Sequence, residues 1–238
     1  INSFFSENGF IVIDNFFSDL ENKLITNFAE DWINRNISNA GESSQTKHFL
    51  KLNDFADYHN FIIKNNIDHS KVASAKYRYI IPPENIIKLI HKKLLFKYLE
   101  LFSGFKLFKP WQDPGFGWLG YRLIRAGSND GYPPSCKNWG AASNVYSVWL
   151  PLAGYNVRSN IRFLPKSHKK EYKNYLPENS KFTKGELRLK EDIPENEYVR
   201  PNVNKNGIII FHPACIHSED SADLINTRLN LEYRFKPI

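Results

Sequence analysis

The residues best suited to chemistry stand near the C-terminus. Gly207-Ile-Ile-Ile-Phe211 reads as a buried apolar strand, and His212-Pro213-Ala214-Cys215-Ile216-His217-Ser218 follows it directly. Arg228 comes eleven positions after His217 and opens a second strand-like run, Leu229-Asn-Leu-Glu-Tyr-Arg-Phe235. On neighbouring strands, His217 and Arg228 would face one cavity. Histidine is the commonest protein metal ligand, and arginine clamps a carboxylate with two parallel hydrogen bonds. The pair predicts a metal beside a bound carboxylate. A lone histidine is more often structural; the arginine and the surrounding phrase turn the reading towards function.

The other candidates are fewer. His212 lies an odd number of positions from His217, so in an unbroken strand it faces the other way and reads as structural. His168, in Pro165-Lys-Ser-His168-Lys169, reads as a turn residue, and His48, His59, His69 and His91 carry no pattern. Cys215 and His217 are two apart and share a face of an extended strand. Cys136, Cys215 and His217 would then make a Cys₂His cluster suited to zinc. The plainer reading of Cys215 is a small buried hydrophobe, and a disulfide is the third.

These residues need a scaffold. After Ser103-Gly104 the chain is a series of short β-type segments broken by Gly, Pro, Asn and Ser: 118–124, 145–150, 160–164, 207–211 and 229–235. Such spacing predicts a jelly roll or barrel. Before it, Gly9 to Phe17 is a short β-rich run. Ser18, with Glu21 three residues on, predicts a capped helix carrying Leu20, Leu24, Ile25, Phe28 and Trp32. Residues 36–60 read as an irregular loop over a pocket, and 85–102 as a second long helix. The expected organisation is one domain over 1–238, with a helical layer over 1–104 and a jelly-roll core over 105–238.

The order of these phrases resembles the phytanoyl-CoA dioxygenase family of Fe(II)/2-oxoglutarate-dependent oxygenases. Phe211-His212-Pro213, then His217, then Arg228 match its C-terminal phrase. Val148-Trp149-Leu150-Pro151-Leu152 with Asn160-Ile-Arg-Phe-Leu164-Pro165-Lys-Ser167-His168 resembles its central hairpin, and Gly9 to Phe17 its opening. The resemblance implies a double-stranded β-helix with N-terminal α-helices. It makes His217 a metal ligand and Arg228 the partner of the distal carboxylate of 2-oxoglutarate, with Trp149 and Arg122 lining the co-substrate pocket.

The pattern departs from the family at one place. Members carry His-x-Asp before the Trp149 strand; here the stretch is Pro133-Pro134-Ser135-Cys136-Lys137-Asn138-Trp139. Cys136 aligns with the histidine and Asn138 with the aspartate. A neutral amide oxygen is a weaker ligand than a carboxylate, and a thiolate is softer than iron's usual donors. Asp130 is an alternative carboxylate if its loop folds back. The reading is therefore a dioxygenase-like oxidoreductase that hydroxylates a small metabolite with Fe(II) and 2-oxoglutarate. The rival is a non-catalytic small-molecule or anion-binding protein that has lost the iron motif.

Composition bounds the rest. The 238 residues are 42% hydrophobic and 15% aromatic, which fits a globular chain. The net charge of +7 would suit an anionic small molecule, an acid, a phosphate ester or a nucleotide-linked sugar, although a lysine-rich soluble surface is the plainer reading. The basic residues are dispersed without a nucleic-acid motif, so no nucleic-acid partner is expected. No apolar run approaches a membrane span and no signal peptide is read. Two cysteines suit a reducing cytoplasm.

Overall fold

The computed structural model describes residues 2–40, 51, 55, 57–111, 117–128, 144–175, 188–218 and 226–238. The chain opens with helix α1 (Asn2–Asn8), which the sequence reading does not anticipate, and β1 (Phe10–Ile13). Helix α2 (Asp19–Ala40) starts at the expected capping box. The Ser18 amide donates to Glu21 Oε2 at 2.8 Å, and the Glu21 amide to Ser18 Oγ at 3.3 Å.

Two expectations about the helices need correction. Leu20 and Leu24 are exposed; α2 buries Ile25, Ala29, Trp32, Ile33, Ile37 and Ala40 instead. Ile37 and Ala40 continue the three-to-four spacing, so residues 36–40 are the last turn of this helix and not a loop. The rest of the expected loop, 41–50, 52–54 and 56, lies outside the described residues. After α3 (Tyr58–Lys64), α4 (His69–Val72), α5 (Ala75–Arg78) and β2 (Tyr79–Ile80), the expected helix over 85–102 is two: α6 (Glu84–Ile90) and α7 (Lys93–Ser103). The break is at His91 and Lys92, where Lys92 is extended. Its ammonium donates to Glu21 Oε2 at 2.6 Å and to the Phe16 carbonyl at 3.2 Å. Those bonds tie the break to the cap of α2. Gly104, left-handed at φ 76°, ends α7.

The strands then follow: β3 (Phe108–Pro110), β4 (Leu119–Ile124), β5 (Tyr146–Ala153), β6 (Arg162–Phe163), β7 (Asn174–Tyr175), β8 (Arg188–Leu189), β9 (Ile208–Phe211), β10 (His217–Ser218) and β11 (Arg228–Pro237). The expected strands over 118–124, 145–150, 207–211 and 229–235 are β4, β5, β9 and β11; the one over 160–164 shortens to the two residues of β6. One seven-stranded antiparallel sheet runs β1-β9-β5-β11-β4-β2, with β3 also paired to β11. Opposite it, β10 and β6 pair His217 with Phe163 and Ser218 with Arg162. The N-terminal part thus contributes β1 and β2 to the main sheet as well as its helical cover. The architecture is a double-stranded β-helix with helices on one side.

The two faces of the main sheet carry different cores. Leu119, Tyr121, Leu123, Tyr146, Val148, Leu150, Ile208, Ile210, Leu229, Leu231, Tyr233 and Phe235 alternate onto the outer face. There they meet the buried face of α2 and the apolar residues of α6 and α7. The inner face meets β6 and β10 through Phe10, Trp149, Ile161, Phe163, Val203, Ile209, Phe211 and Cys215. No helix among the described residues is long and apolar enough to cross a membrane.

His212 joins the end of β9 to the helical layer. It accepts a hydrogen bond from the Ala214 amide at Nδ1 (3.1 Å), and its ring lies 5.7 Å from Tyr146 and 5.3 Å from His168. Burial, then the neighbouring His168, lowers its pKa to about 4, so the folded state holds it neutral. An unfolded histidine titrates near 6.5. The unfolded chain therefore binds the proton first as pH falls, and stability drops between pH 6.5 and 4. Thermal melts across that range should show a falling melting temperature in the natural protein and a flatter profile in His212→Gln.

Candidate functional site

The inner face of the main sheet is where the predicted residues gather. On β11 every second residue from Arg228 points inward: Arg228, Asn230, Glu232 and Arg234. The register sets Arg122 of β4 opposite Asn230, Trp149 of β5 opposite Glu232, and Ser147 opposite Arg234. All these side chains are buried. From the facing sheet, His217 turns its ring towards Phe211, centroids 4.8 Å apart, and Phe163, 6.2 Å. Four of the predicted site residues, His217, Arg228, Trp149 and Arg122, therefore belong to one interior.

Each is held by specific contacts. Nδ1 of His217 lies 2.9 Å from the Cys215 carbonyl oxygen. A carbonyl only accepts, so Nδ1 carries the proton and the lone pair sits on Nε2, the arrangement a metal-ligating histidine needs. Arg228 is fully buried. Its Nη1 donates to the Ser159 carbonyl, and its guanidinium lies 5.9 Å from the Trp149 ring centroid. Ser159 sits in the turn after β5, which Gly154 permits with φ 63°. A Cβ at Gly154 would stand 1.9 Å from the Thr227 carbonyl oxygen. Only glycine allows the two backbones to meet so closely beside Arg228.

Sequence reasoning missed the neighbours of these residues. Glu232 accepts from Arg122 Nε at 3.2 Å through Oε2 and from Arg234 Nη2 through Oε1. Burial would push the Glu232 carboxyl up. Arg234 and then Arg122, with a smaller effect of His217, outweigh it and hold the carboxyl at about 2. The indole Nε1 of Trp149 and both amide atoms of Asn230 have no hydrogen-bond partner among the described residues. The available signal was the strict alternation Arg228-Leu-Asn230-Leu-Glu232-Tyr-Arg234-Phe, which ordinarily marks a strand with one wet face.

The metal side is less complete. Cys136, Asn138 and Asp130 lie outside the described residues. Among the described residues no three His, Cys, Asp or Glu side chains come together as a metal site. Cys215 is fully buried in the inner apolar cluster, and burial pushes its thiol up to about 12. It is a thiol and not a thiolate there, with Ser167 Oγ at 3.7 Å and the Leu164 carbonyl at 3.8 Å. It behaves as the small buried hydrophobe of the plainer reading. Of the three positions expected to hold a metal, only His217 lies among the described residues.

No family model matches this sequence, and no curated protein does. Solved structures do share its fold. The non-heme monooxygenase ThoJ, in its apo form, aligns with a TM-score of 0.57 at 12% identity, over 99% of this chain and 76% of that one. EctD from S. alaskensis, solved with 2-oxoglutarate and 5-hydroxyectoine, gives 0.58 at 12% identity, over 100% and 75%. The epimerase SnoN, solved with Fe3+, alpha ketoglutarate and nogalamycin RO, gives 0.52 at 13% identity, over 99% and 82%. This chain shares its fold with these structures. At such identities the likeness carries the fold and leaves the chemistry to the residues.

Glu232 is the test of this interior. Replacing it by Gln leaves two buried guanidiniums without their shared counter-charge. Urea unfolding at pH 7 should register a loss of about 3–5 kcal/mol. The folded carboxyl lies below its ordinary 4.5, so its contribution is whole above pH 4.5 and is lost as pH falls through about 2. That acid limb should be missing from Glu232→Gln.

Proposed function

We propose that this protein is a 2-oxoglutarate-dependent oxidoreductase of the phytanoyl-CoA dioxygenase type, acting on a small anionic metabolite. The observation that carries the reading is Arg228, a fully buried guanidinium on the inner face of the barrel beside Trp149, with His217 delivered from the opposite sheet. A guanidinium fixed on that face presents a planar fork of donors that matches a carboxylate. Arg228 would hold the distal carboxylate of 2-oxoglutarate through its fork. Trp149 and Arg122 would line the co-substrate. His217 would present Nε2 to the metal, with Cys136 and Asn138 at the other two positions. Iron with 2-oxoglutarate supplies the oxidising power to hydroxylate an unactivated C–H bond. The chain's own residues bind, orient and keep water out. Two cysteines, one of them a buried neutral thiol, accord with a cytoplasmic setting.

One observation favours a second reading. Cys136-Lys137-Asn138 stands where the family has His-Lys-Asp, so the same interior would serve a binding protein without redox chemistry. Two measurements separate the cases. Arg228→Ala should weaken 2-oxoglutarate by about 2–5 kcal/mol in calorimetry, and Arg228→Lys should rescue only part of this. Unchanged affinity in a folded variant removes Arg228 from the role.

The natural protein should form succinate slowly with iron, and Cys136→His with Asn138→Asp should raise metal affinity. Fast, iron-dependent succinate release by the natural protein would instead show that the substituted positions do not impair it, and would dispose of the binding-protein reading.

A further inference from the structure

The far end of β11 carries a surface that the interior does not explain. Beyond Arg234 the strand pairs with β3, and the register sets Lys236 directly opposite Lys109. Like charges facing each other across an antiparallel pair repel. Neither ammonium has an ion-pair partner among the described residues. Strand alternation puts Leu107 and Ile238 on the same side as this pair. The Ile238 amide donates to the Leu107 carbonyl at 3.1 Å, which carries the ribbon on to both. The opposite side turns inward, where Phe108 meets Tyr146 with ring centroids 6.5 Å apart.

The turn that leads into β3 adds to this surface. Gly104 ends α7, and a Cβ there would meet nothing within 4 Å, so the turn stands open. Phe105 is 46% exposed and Leu107 66%, one on either side of the exposed Lys106. A single exposed apolar side chain is ordinary. Here two large ones stand among three lysines, Lys106, Lys109 and Lys236. From Lys93 to Pro110 the sequence holds four lysines against one acid, Glu100 on α7. Lysines interleaved with exposed Phe and Leu are what a protein needs at a lipid interface: the ammoniums meet anionic headgroups while the apolar side chains enter the acyl boundary.

We propose that the β3–β11 ribbon and the turn before it dock this protein on an anionic lipid bilayer, through Phe105, Lys106, Leu107, Lys109 and Lys236. Headgroup phosphates and carboxylates shared by Lys109 and Lys236 relieve the repulsion between them. Two other occupants fit less well. A second copy related by a two-fold axis would bring the same lysines up against themselves. A nucleic acid would use the lysines and leave Phe105 and Leu107 in water. The docking is peripheral, since no helix among the described residues is long and apolar enough to cross a membrane. It is independent of the reaction proposed above and brings the far end of β11 to the lipid surface.

Vesicle flotation of the full chain tests this. The protein should float with phosphatidylcholine vesicles that contain about 30 mol% phosphatidylserine, and bind phosphatidylcholine alone at least about tenfold more weakly. Raising salt from about 0.1 M to about 0.5 M should release it. Lys109→Gln with Lys236→Gln should weaken binding at least about tenfold, while Lys109→Arg with Lys236→Arg should stay within about threefold of the natural protein. Phe105→Ser with Leu107→Ser should also weaken it about tenfold or more. Thermal melts check that each variant folds, and Phe105→Ser alone is read if the double change does not. The inference is overturned if anionic vesicles are not bound at low salt, or if neutral ones are bound as well. It is overturned equally if either the glutamine pair or the serine pair binds like the natural protein. Without vesicle binding, two results would reassign the surface. Polyuridylate binding that needs the lysines and ignores Phe105 and Leu107 would make it a nucleic-acid surface. A dimer in sedimentation that Phe105→Ser with Leu107→Ser abolishes would make it an interface between copies.

Discussion

A carboxylate and two guanidiniums stay inside a protein only where the backbone fixes them, because side chains alone cannot repay the loss of water. Here the backbone is β11, hydrogen-bonded on one side to β5 and on the other to β4 and β3. Both its faces are buried, with opposite chemistry. Leu229, Leu231, Tyr233 and Phe235 seat the sheet on the helices, and Arg228, Asn230, Glu232 and Arg234 line the interior. A slip of one residue in register would put four charged or polar side chains into the helical core. The apolar half of the strand therefore enforces the geometry of the polar half.

The remaining elements act on this strand at its ends. At the start, the turn containing Gly154 packs on Thr227, and Ser159 accepts from Arg228, so the first guanidinium is placed by backbone and not by side-chain packing. At the far end, β3 and Trp111 close over Arg234; the Trp111 amide donates to the Arg234 carbonyl at 2.9 Å. Helix α2 reinforces the sheet from outside: Asn36 donates to the Tyr121 hydroxyl, which donates to the Val72 carbonyl. Burial raises the Tyr121 phenol to about 12, so it remains a neutral donor in that chain.

Much of this was legible in the sequence, for identifiable reasons. Strands β4, β5, β9 and β11 announce themselves because β-branched and aromatic residues crowd between turn residues. His217 and Arg228 are legible because their spacing joins a strand end to a strand start. Helix α1 was not legible: Asn2-Ser3-Phe4-Phe5 has low helix propensity, and the packing of Phe5 on Phe102, rings stacked at 4.3 Å, supplies what propensity lacks. The face of α2 was misread because Leu20 and Leu24 look apolar in sequence, yet both are exposed and the buried face begins at Ile25. The break at Lys92 depends on Glu21, seventy-one residues away, which no local pattern contains. Glu232 and Arg234 were missed for a deeper reason. Alternation gives the period of a strand, but whether its polar face meets water or a second sheet is a tertiary fact.

The distribution of cations follows the same physics. The chain carries a net charge of +7, yet the buried cations among the described residues are all arginines: Arg122, Arg162, Arg228 and Arg234. A guanidinium is more weakly hydrated than an ammonium and offers five donors in a fixed plane, so it can be desolvated against a carboxylate, a carbonyl and an indole together. The described lysines remain at the surface or part-exposed, where salt screens them. Long-range attraction by surface charge is general and salt-sensitive. The interior arginines are instead fixed locally, Arg228 against the Ser159 carbonyl and the Trp149 ring, Arg122 and Arg234 against the Glu232 carboxylate.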